Sequence, residues 1–456
     1  MMSRTGLRWH RRAWARIDVH STRPAILVGG WLLFLIYAFP GAMSPDSLLQ
    51  LDQARTGNFG DWHPPLMAYL WRLCEYLLAG PFPMLVLQSV TFLLGLDAIL
   101  RRFMSQRKAA LLAISILLFP PVLAPMAFIW KDSQMAGYIM AGIAALLSPS
   151  RKWRLVGCGF LVLATGVRIN GPAATLPVMM ILFVWNDRWT RWRRYLVAGV
   201  AWVVITLAAM LANAWITDYR DYPWHNSVAL LDIAGVVRFA HVKDDAQLRE
   251  LLDGAPLVVQ DDILRKFRRV YSPTAHYWLT HGDDRVFDLP DLPHLEGVKA
   301  CWWRAVTTYP SAYLWHRSRV FREVLGLGTL PVLGAVYDQT ENLSRLQAVW
   351  NHGLFAISAG VWFRPHLYFV LGFVMLWFGR RSRLVLALLT SGLVCELSLF
   401  IGAPSSDYRY SHWMIVCTIA ALVAITAERA RDGLQRRDLR QPSPSDPVRR
   451  DDQDRS

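Results

Sequence analysis

Ten long apolar runs limit what this chain can fold into. A helix that crosses the hydrocarbon core of a bilayer needs about 20 mainly apolar residues, and each run reaches or approaches that length. Hydrophobic residues make up 54% of the 456 residues and charged residues only 18%, whereas a soluble domain carries about 25% charged residues. We therefore predict an α-helical, polytopic membrane protein with about ten transmembrane helices, and we exclude a disordered chain, a coiled coil and a disulfide-stapled secreted module. The runs are residues 24–43, 84–100, 109–130, 134–147, 155–167, 172–185, 196–217, 366–378, 384–403 and 414–426.

Arg and Lys cluster in alternate connections between the runs and so indicate their orientation. Clusters of basic residues stay on the cytoplasmic side of a membrane, and ten spans place every cluster on that side. Both termini are then cytoplasmic. A composition rich in Arg, Ala and Trp but poor in Lys indicates a bacterium of high GC content, so we expect the membrane to be a bacterial inner membrane. The net charge of +15 follows from this topology rather than from nucleic-acid binding, since the chain has no compact basic domain. The clusters are residues 4–23, 101–108, 151–154, 188–194 and 380–383 and the tail after residue 426.

The same topology divides the chain into four parts. An N-terminal transmembrane module carries a long first external loop, and a large external, periplasmic region of mainly helical character follows it. The third part consists of further transmembrane helices. The fourth part is a polar cytoplasmic tail, whose composition is typical of disorder. The parts are residues 1–217 (with the first external loop at 44–83), 218–365, 366–427 and 428–456.

Two further apolar segments, 64–80 and 346–362, are not counted as spans. Counting the first would move the basic cluster at 101–108 to the outside, and counting the second would do the same to 380–383. We therefore predict that both lie along the membrane surface or pack in the external layer.

Five short polar strings fall on the external side of this topology, at the ends of apolar runs. A set of ionisable residues on one face of a membrane protein can form one shared site at the outer boundary of the bilayer. The strings are Ser44-Pro45-Asp46-Ser47, Asp61-Trp62-His63-Pro64-Pro65, Trp130-Lys131-Asp132-Ser133, Arg168-Ile169-Asn170 and Asp407-Tyr408-Arg409-Tyr410.

The residue types in these strings suit chemistry on a lipid phosphate. Arginine binds a phosphate through two hydrogen bonds and lysine binds it as a point charge. A carboxylate beside them, with a pKa raised by partial burial, suits a general base that takes a proton from an attacking hydroxyl. Together they suit displacement of a lipid phosphate from a sugar carbon, in which the cations stabilise the leaving phosphate.

At these strings the sequence resembles the GT-C superfamily of integral-membrane glycosyltransferases, which includes protein mannosyltransferases and lipid A aminoarabinose transferases. The family carries an acidic residue early in the first external loop, matching Asp46, and often a His-Pro-Pro string that opens a membrane-parallel helix, matching His63-Pro64-Pro65. Bacterial members tend to carry an acidic residue in the second external loop, matching Asp132, and an Arg-Tyr pair near a late external helix end, matching Arg409-Tyr410. Some subfamilies have Asp-Glu where this chain has Asp46-Ser47, so the resemblance leaves the sugar open.

The resemblance implies a GT-C-like bundle and an inverting glycosyltransferase. Its donor is a sugar on a polyprenyl phosphate, and its acceptor is a hydroxyl of a glycan, a glycolipid or a protein outside the cytoplasm. No metal is required if cations neutralise the leaving group, although Asp46 and Asp132 leave room for a divalent cation. The predicted base is Asp46, with Asp132 and Asp61 as alternatives, and the residues predicted to bind the donor phosphate are Lys131, Arg168, Arg409, His63 and Tyr410.

Simpler interpretations stay open for each residue. Asp46 and Asp61 suit helix caps, Lys131 suits an interfacial anchor, and the tyrosines suit the aromatic belt at a membrane surface. Glu396, inside a run, is expected to pair with an arginine of the site, and Asp97 with nearby Arg101. The five cysteines have no metal-binding spacing.

A multi-pass transporter or a lipid-linked glycan flippase is the main alternative function. That class places ionisable residues near the bilayer midplane and often has inverted repeats, whereas the strings here gather at one edge. A non-enzymatic assembly protein whose external region binds a partner is a third possibility.

Overall fold

A computed structural model describes residues 22–186, 189–242, 244–258, 261–288, 294–328 and 345–438, with the side chains in these ranges except those of Arg191 and residues 433–438. Within these ranges the regular secondary structure is helical, and no β-strand longer than an isolated bridge is present. Short π-helical and 3-10 turns lie at Trp224–Ala229, Tyr277–Leu279, Val361–Phe363 and Tyr408–Ser411. The α-helices are α1 (Arg23–Ala38), α2 (Pro45–Thr56), α3 (Leu66–Glu75), α4 (Phe82–Leu100), α5 (Gln106–Leu118), α6 (Pro120–Met126), α7 (Lys131–Leu146), α8 (Arg151–Val167), α9 (Gly171–Leu182), α10 (Arg191–Ile216), α11 (Leu230–Phe239), α12 (Asp245–Leu251), α13 (Ile263–Val270), α14 (Leu295–Thr308), α15 (Pro310–Val324), α16 (Arg345–Ser358), α17 (Pro365–Gly379), α18 (Arg383–Gly402) and α19 (His412–Asp438).

The long apolar helices confirm a helical protein with several candidate membrane spans. Four helices are long and apolar enough to cross a membrane, and a fifth span results if the bent pair α5–α6 is counted as one. Each of the ten predicted runs overlaps a helix, but α1, α9 and α17 are shorter than a full span. The count of ten spans therefore stays a prediction. The four long spans are Phe82–Leu100, Trp192–Ile216, Arg383–Gly402 and Tyr408–Asp432.

The predicted span over residues 109–130 is broken in the structure. The helix ends at Leu118 and a short second helix starts at Pro120, bent by 71° from the first. Proline disfavours helical backbone in the residue before it and lacks the N–H of a helical hydrogen bond, so Pro120 and Pro121 end the first helix at Phe119. The chain then runs beside Ala42, which exchanges backbone hydrogen bonds with Ala127 and Ile129 at 3.0 and 2.9 Å.

This break has two consequences for the polar strings. Lys131-Asp132-Ser133, in the polar string between two predicted runs, forms the first turn of α7. The pairing with Ala42 also carries Trp130 and Lys131 to the start of α2, where Asp46 lies.

Charged residues also meet at the end of α4. Asp97, buried near the end of α4, forms ion pairs with Arg101 at 3.0 Å and with Arg23 at 2.6 Å. The predicted Asp97–Arg101 pair is thus confirmed. Because Arg23 begins α1, the start of α1 and the end of α4 lie side by side.

The two apolar segments left out of the span count are short helices in the structure. Helix α3 has 10 residues and α16 has 14, so at 1.5 Å per residue neither is long enough to cross the hydrocarbon core. Helix α16 packs against the end of α1, where the Tyr37 hydroxyl donates to Asn351 Oδ1 at 2.7 Å. Leu77, just after α3, is 87% exposed and Val349 is 70% exposed.

The region predicted to be external (the external region) has an apolar core of its own. Helices α11 to α15 bury a cluster that is distinct from the core of the transmembrane bundle, and Leu399 and Ala403 at the end of α18 belong to it. The external region therefore rests directly on the end of a long apolar helix.

The prediction of a disordered tail over residues 428–456 is wrong for its first part. Helix α19 continues to Asp438, because Ala, Glu and Arg at residues 427–431 are strong helix formers. Residues 439–456, like the basic segment before Thr22, lie outside the described residues.

Candidate functional site

Two serines fix the first turn of α2 and leave the Asp46 carboxylate free of capping bonds. Ser44 is the N-cap, and its N–H donates to Ser47 Oγ at 3.2 Å. The two hydroxyls also bind the segment before α7, since Trp130 Nε1 donates to Ser44 Oγ at 2.8 Å and Ser47 Oγ donates to the Ile129 carbonyl at 2.8 Å. The start of α2 and the start of α7 are thereby held together.

Asp46 faces Arg409, as a site assembled from distant strings requires. Arg409 Nη2 donates to Asp46 Oδ2 at 2.6 Å, although the two residues are 363 positions apart in the chain. Arg409 Nε lies 2.9 Å from Asp407 Oδ2, and its guanidinium stacks 4.8 Å above the Trp130 ring. Asp407 and Trp130 therefore hold the guanidinium independently of Asp46.

The expectation of a raised pKa for Asp46 is wrong. Burial by itself raises the pKa of this carboxyl, but Arg409, His63 and Lys131 together lower it well below its usual value. Nearby positive charge favours the ionised carboxylate more than burial disfavours it. The direction of this shift in pKa could not be predicted from the sequence, because it depends on cations that come from three separate strings.

His63 lies between Lys131 and Asp46. Lys131 Nζ is 2.7 Å from His63 Nδ1, and His63 Nε2 is 3.5 Å from Asp46 Oδ1. Since a lysine ammonium only donates, Nδ1 accepts and Nε2 carries the proton that faces Asp46. Burial lowers the pKa of Lys131 to about 7, and burial together with Lys131 lowers the pKa of His63 to about 4.

Arg168 and Asp132 form a second, deeper ion pair in the same cluster. Both are buried, and Arg168 Nη1 contacts Asp132 Oδ1. Arg168 Nε donates to Asn170 Oδ1 at 2.6 Å. The ring of Tyr410 joins the two pairs, because the guanidinium carbons of Arg168 and Arg409 lie 4.9 and 5.7 Å from its centre.

Asp61 is the one predicted site residue that the structure places elsewhere. Its Oδ1 accepts from the backbone N–H of Asp221 at 2.6 Å, and Trp62 N–H donates to Asp221 Oδ2 at 3.3 Å. These bonds tie the first external loop to the start of the external region. Seven of the eight predicted residues thus meet in one cluster, and Asp61 has a structural contact beside it.

Several residues of the cluster were not singled out from the sequence. Asp407, Trp130 and Asn170 stand in the polar strings, but nothing in a short string shows which member faces a partner from another string. Glu396 is buried as predicted, and Ser411 Oγ donates to its Oε1 at 2.7 Å. The hydrogen-bond partner of Glu396 is therefore a hydroxyl rather than the expected arginine.

The buried His63 should make the protein sensitive to mild acid. An unfolded histidine takes up a proton below about pH 6.5, whereas folded His63 stays neutral until about pH 4, so stability is lost as the pH falls through this window. We expect His63→Gln to reduce that loss by about 2 kcal/mol between pH 7 and 4.5, measured as a smaller drop in Tm over this range. His352→Gln, at an exposed position, serves as the control; an equal drop in Tm in His63→Gln and wild type would contradict the expectation.

The Arg168–Asp132 pair gives a separate prediction on stability. Arg168→Met should cost about 3–5 kcal/mol because it leaves the buried Asp132 carboxylate unpaired. Arg168→Met combined with Asp132→Leu should recover most of that loss, as read by thermal unfolding of the purified protein. The exposed pair Arg265–Asp262 is the matched control, and its disruption should cost less than about 1 kcal/mol. An equal loss in the single and double variants would show that the charge left behind is not the cause.

The cluster does not present a ligand set for a divalent cation. Among the residues that the structure describes, no three His, Cys, Asp or Glu side chains come together as a metal-binding group. Asp46 and Asp132 each contact a different guanidinium, whereas Ca²⁺ and Mg²⁺ sites need several oxygen ligands turned toward one point.

The cluster can therefore do three things chemically: keep a carboxylate ionised, hold an anion against two guanidiniums and an amine, and exclude water from most of its surface.

Comparison of the chain with known protein families, with curated proteins and with solved structures finds no match.

Proposed function

We propose that the protein is an inverting glycosyltransferase of the GT-C type. It moves a sugar from a polyprenyl-phosphate donor to a hydroxyl of a glycan, a glycolipid or a protein. The observation that carries the proposal is the meeting of one partly exposed carboxylate, Asp46, with Arg409, Lys131 and Arg168 at one end of the helical bundle. A base beside a cluster of cations is what displacement of a sugar from phosphate requires.

The proposed reaction is one displacement at the anomeric carbon of the donor sugar. The acceptor oxygen forms a bond to that carbon as its proton passes to Asp46. The bond between the carbon and the phosphate oxygen breaks, and the electron pair leaves with the polyprenyl phosphate. The phosphate gains one negative charge in this step, and Arg409, Arg168 and Lys131 stabilise it as it forms.

The lowered pKa of Asp46 fits a base that becomes stronger when the donor binds. In the structure Asp46 is ionised but paired with Arg409, so it is a weak proton acceptor. A donor phosphate that takes up hydrogen bonds from Arg409 adds a negative charge beside Asp46, and a neighbouring like charge raises the pKa of a carboxylate. The base would then reach useful strength only with the donor in place.

The position of the cluster favours an enzyme over a transporter. Asp46, Lys131 and Arg409 lie at or just before the starts of α2, α7 and α19, and Arg168 lies at the end of α8. Gln134 on α7 bonds to Met84 at the start of α4, and Arg102 after α4 bonds to Leu147 after α7. The start of α7 therefore lies at the end of the bundle away from Asp97, whereas transporter sites lie near the bilayer midplane. We place the ten-span bundle in a bacterial inner membrane with both termini cytoplasmic and this cluster on the periplasmic side.

The test is transfer of a labelled sugar by the purified protein in liposomes. A panel of polyprenyl-phosphate sugars is supplied with crude cell-envelope acceptors, and we expect label to move from the lipid to one acceptor class. If no donor is consumed while labelled lipid crosses the bilayer faster than in protein-free liposomes, the flippase alternative replaces the proposal.

A further inference from the structure

A buried charged network in the external region contacts the chain segment that carries Arg409. Asp232 on α11 and Arg317 on α15 are both buried, and Arg317 Nε lies 2.6 Å from Asp232 Oδ1. Asp232 also accepts from Trp302 Nε1 at 2.8 Å and lies 3.1 Å from His316 Nε2. The charge of Asp232 is thus well satisfied, as a buried charge must be, and the network fixes the position of Arg317.

Arg317 also contacts the end of α18. Its Nη1 donates to the carbonyl of Ala403 at 2.9 Å. The last carbonyls of a helix have no partner within the helix, so this bond caps α18 from the external region. Ala403 lies six residues before Arg409.

A second contact holds the residues between Ala403 and Arg409. Ser406 N–H donates to the Thr274 carbonyl at 2.9 Å, and His276 Nδ1 lies 3.2 Å from the Pro404 carbonyl. Ala275 and Ser405 form an isolated antiparallel bridge. The external region therefore contacts segment 403–406 at several backbone atoms, immediately before Asp407 and Arg409.

The two apolar cores meet along the same segment. Ala403 belongs to the core of the external region, whereas Tyr408 belongs to the core of the bundle. The backbone between Ala403 and Tyr408 thus connects two separately packed cores. The direction in which the Arg409 side chain projects from this backbone therefore depends on both cores.

We infer that Arg317 is a positioning residue, which sets Arg409 through segment 403–406 and thereby couples the external region to the donor-phosphate site. This inference rests on the proposed function for the role of Arg409, but its structural part does not. Arg317 touches neither Asp46 nor any other member of the cluster in the contacts described, and it acts only through the backbone.

The test is a double-mutant cycle between Arg317 and Arg409, read by binding of a polyprenyl phosphate that carries no sugar. Arg317→Lys keeps a charge for Asp232 but cannot also span to Ala403, so it should raise the Kd about fivefold, as expected for one hydrogen bond. In the Arg409→Lys background the same change should have no further effect. Val320→Ala, buried on the same helix, should leave the Kd within about twofold of wild type and controls for loosening of the core.

The results separate this inference from the proposed function. Additive effects of Arg317→Lys and Arg409→Lys, or an unchanged Kd in Arg317→Lys, would overturn the inference. If the double-mutant cycle gives the expected result but the protein transfers no sugar, the inference holds and the proposed function is wrong. Should Arg317→Lys fail to fold, His276→Ala removes the other side-chain contact at a half-buried position and should raise the Kd in the same direction.

Hydrogen exchange gives a readout that needs no ligand. Amides of residues 405–411 should exchange faster in Arg317→Lys and in His276→Ala than in wild type, while those of α7 stay unchanged. Unchanged exchange over 405–411 in both variants would overturn the inference.

Discussion

Asp46→Asn should reduce sugar transfer by about 10²- to 10⁴-fold, the usual contribution of a positioned general base. The change removes the proton acceptor and keeps the size of the side chain. The amide oxygen can still accept from Arg409, so the Asp46–Arg409 contact of 2.6 Å loses charge but not geometry. We therefore expect the Kd for the donor to change far less than kcat. The measurement is kcat and KM for a labelled donor, together with the Tm of the variant.

Substitutions of two other aspartates show whether the loss of transfer is specific to Asp46. Asp52→Asn changes an exposed residue of the same helix and should leave transfer within about twofold of wild type. Asp132→Asn tests the alternative base and, because Asp132 is paired with buried Arg168, should lower the Tm as well as the rate. Near-normal turnover in Asp46→Asn with a large loss in Asp132→Asn would transfer the role of base to Asp132.

The general architecture was readable from the sequence because it depends on averages over many residues. Apolar runs and basic clusters report the environment of a whole segment, and single exceptions do not change the result. The predicted Asp97–Arg101 pair is present, and the two segments left out of the span count are the short helices at 66–75 and 345–358. The bend at Pro120 was missed because the apolar run continues through it and hydropathy does not record backbone geometry.

The membership of the site was predicted better than its electrostatics. Residues of opposite charge that are predicted on one side of a membrane have few other places to meet, so Asp46, His63, Lys131, Arg168 and Arg409 could be grouped without coordinates. The direction of the shift in the pKa of Asp46 could not be predicted in this way. Burial and neighbouring cations act on this pKa in opposite directions, and only the distances between the groups decide which effect is larger.

Contacts made by the external region could not be predicted from the sequence, for a different reason. Asp232 and Arg317 are 85 positions apart, and the bond from Arg317 to Ala403 involves a backbone carbonyl. A carbonyl is present at every residue, so no residue type marks its partner. The same holds for Asp61, whose partner is the backbone N–H of Asp221.

Arg409→Ala should cause the other large loss, about 10²- to 10³-fold in kcat/KM for the donor, similar to removal of one oxyanion donor elsewhere. The guanidinium contacts Asp46 and Asp407 and stacks on Trp130, so its removal leaves two carboxylates without their cation. We also expect a lower Tm, because carboxylates that lose a buried partner are destabilising. Arg364→Ala, a half-buried arginine that donates to the Gly326 carbonyl, is the control for losing an arginine outside the cluster.

The pH dependence of the Arg409 variants separates charge from geometry. Arg409 is the largest of the influences that lower the pKa of Asp46, so without it the carboxylate is protonated at a higher pH. The acid limb of kcat/KM, which reports the base in the free enzyme, should therefore move to higher pH in Arg409→Ala. Arg409→Lys keeps the positive charge but loses the two-pronged geometry, so it should lose rate with a smaller movement of the acid limb. If both variants kept the wild-type acid limb while losing rate, Arg409 would bind the donor without controlling the base, and Asp46 would have to be activated by Lys131 and His63 alone.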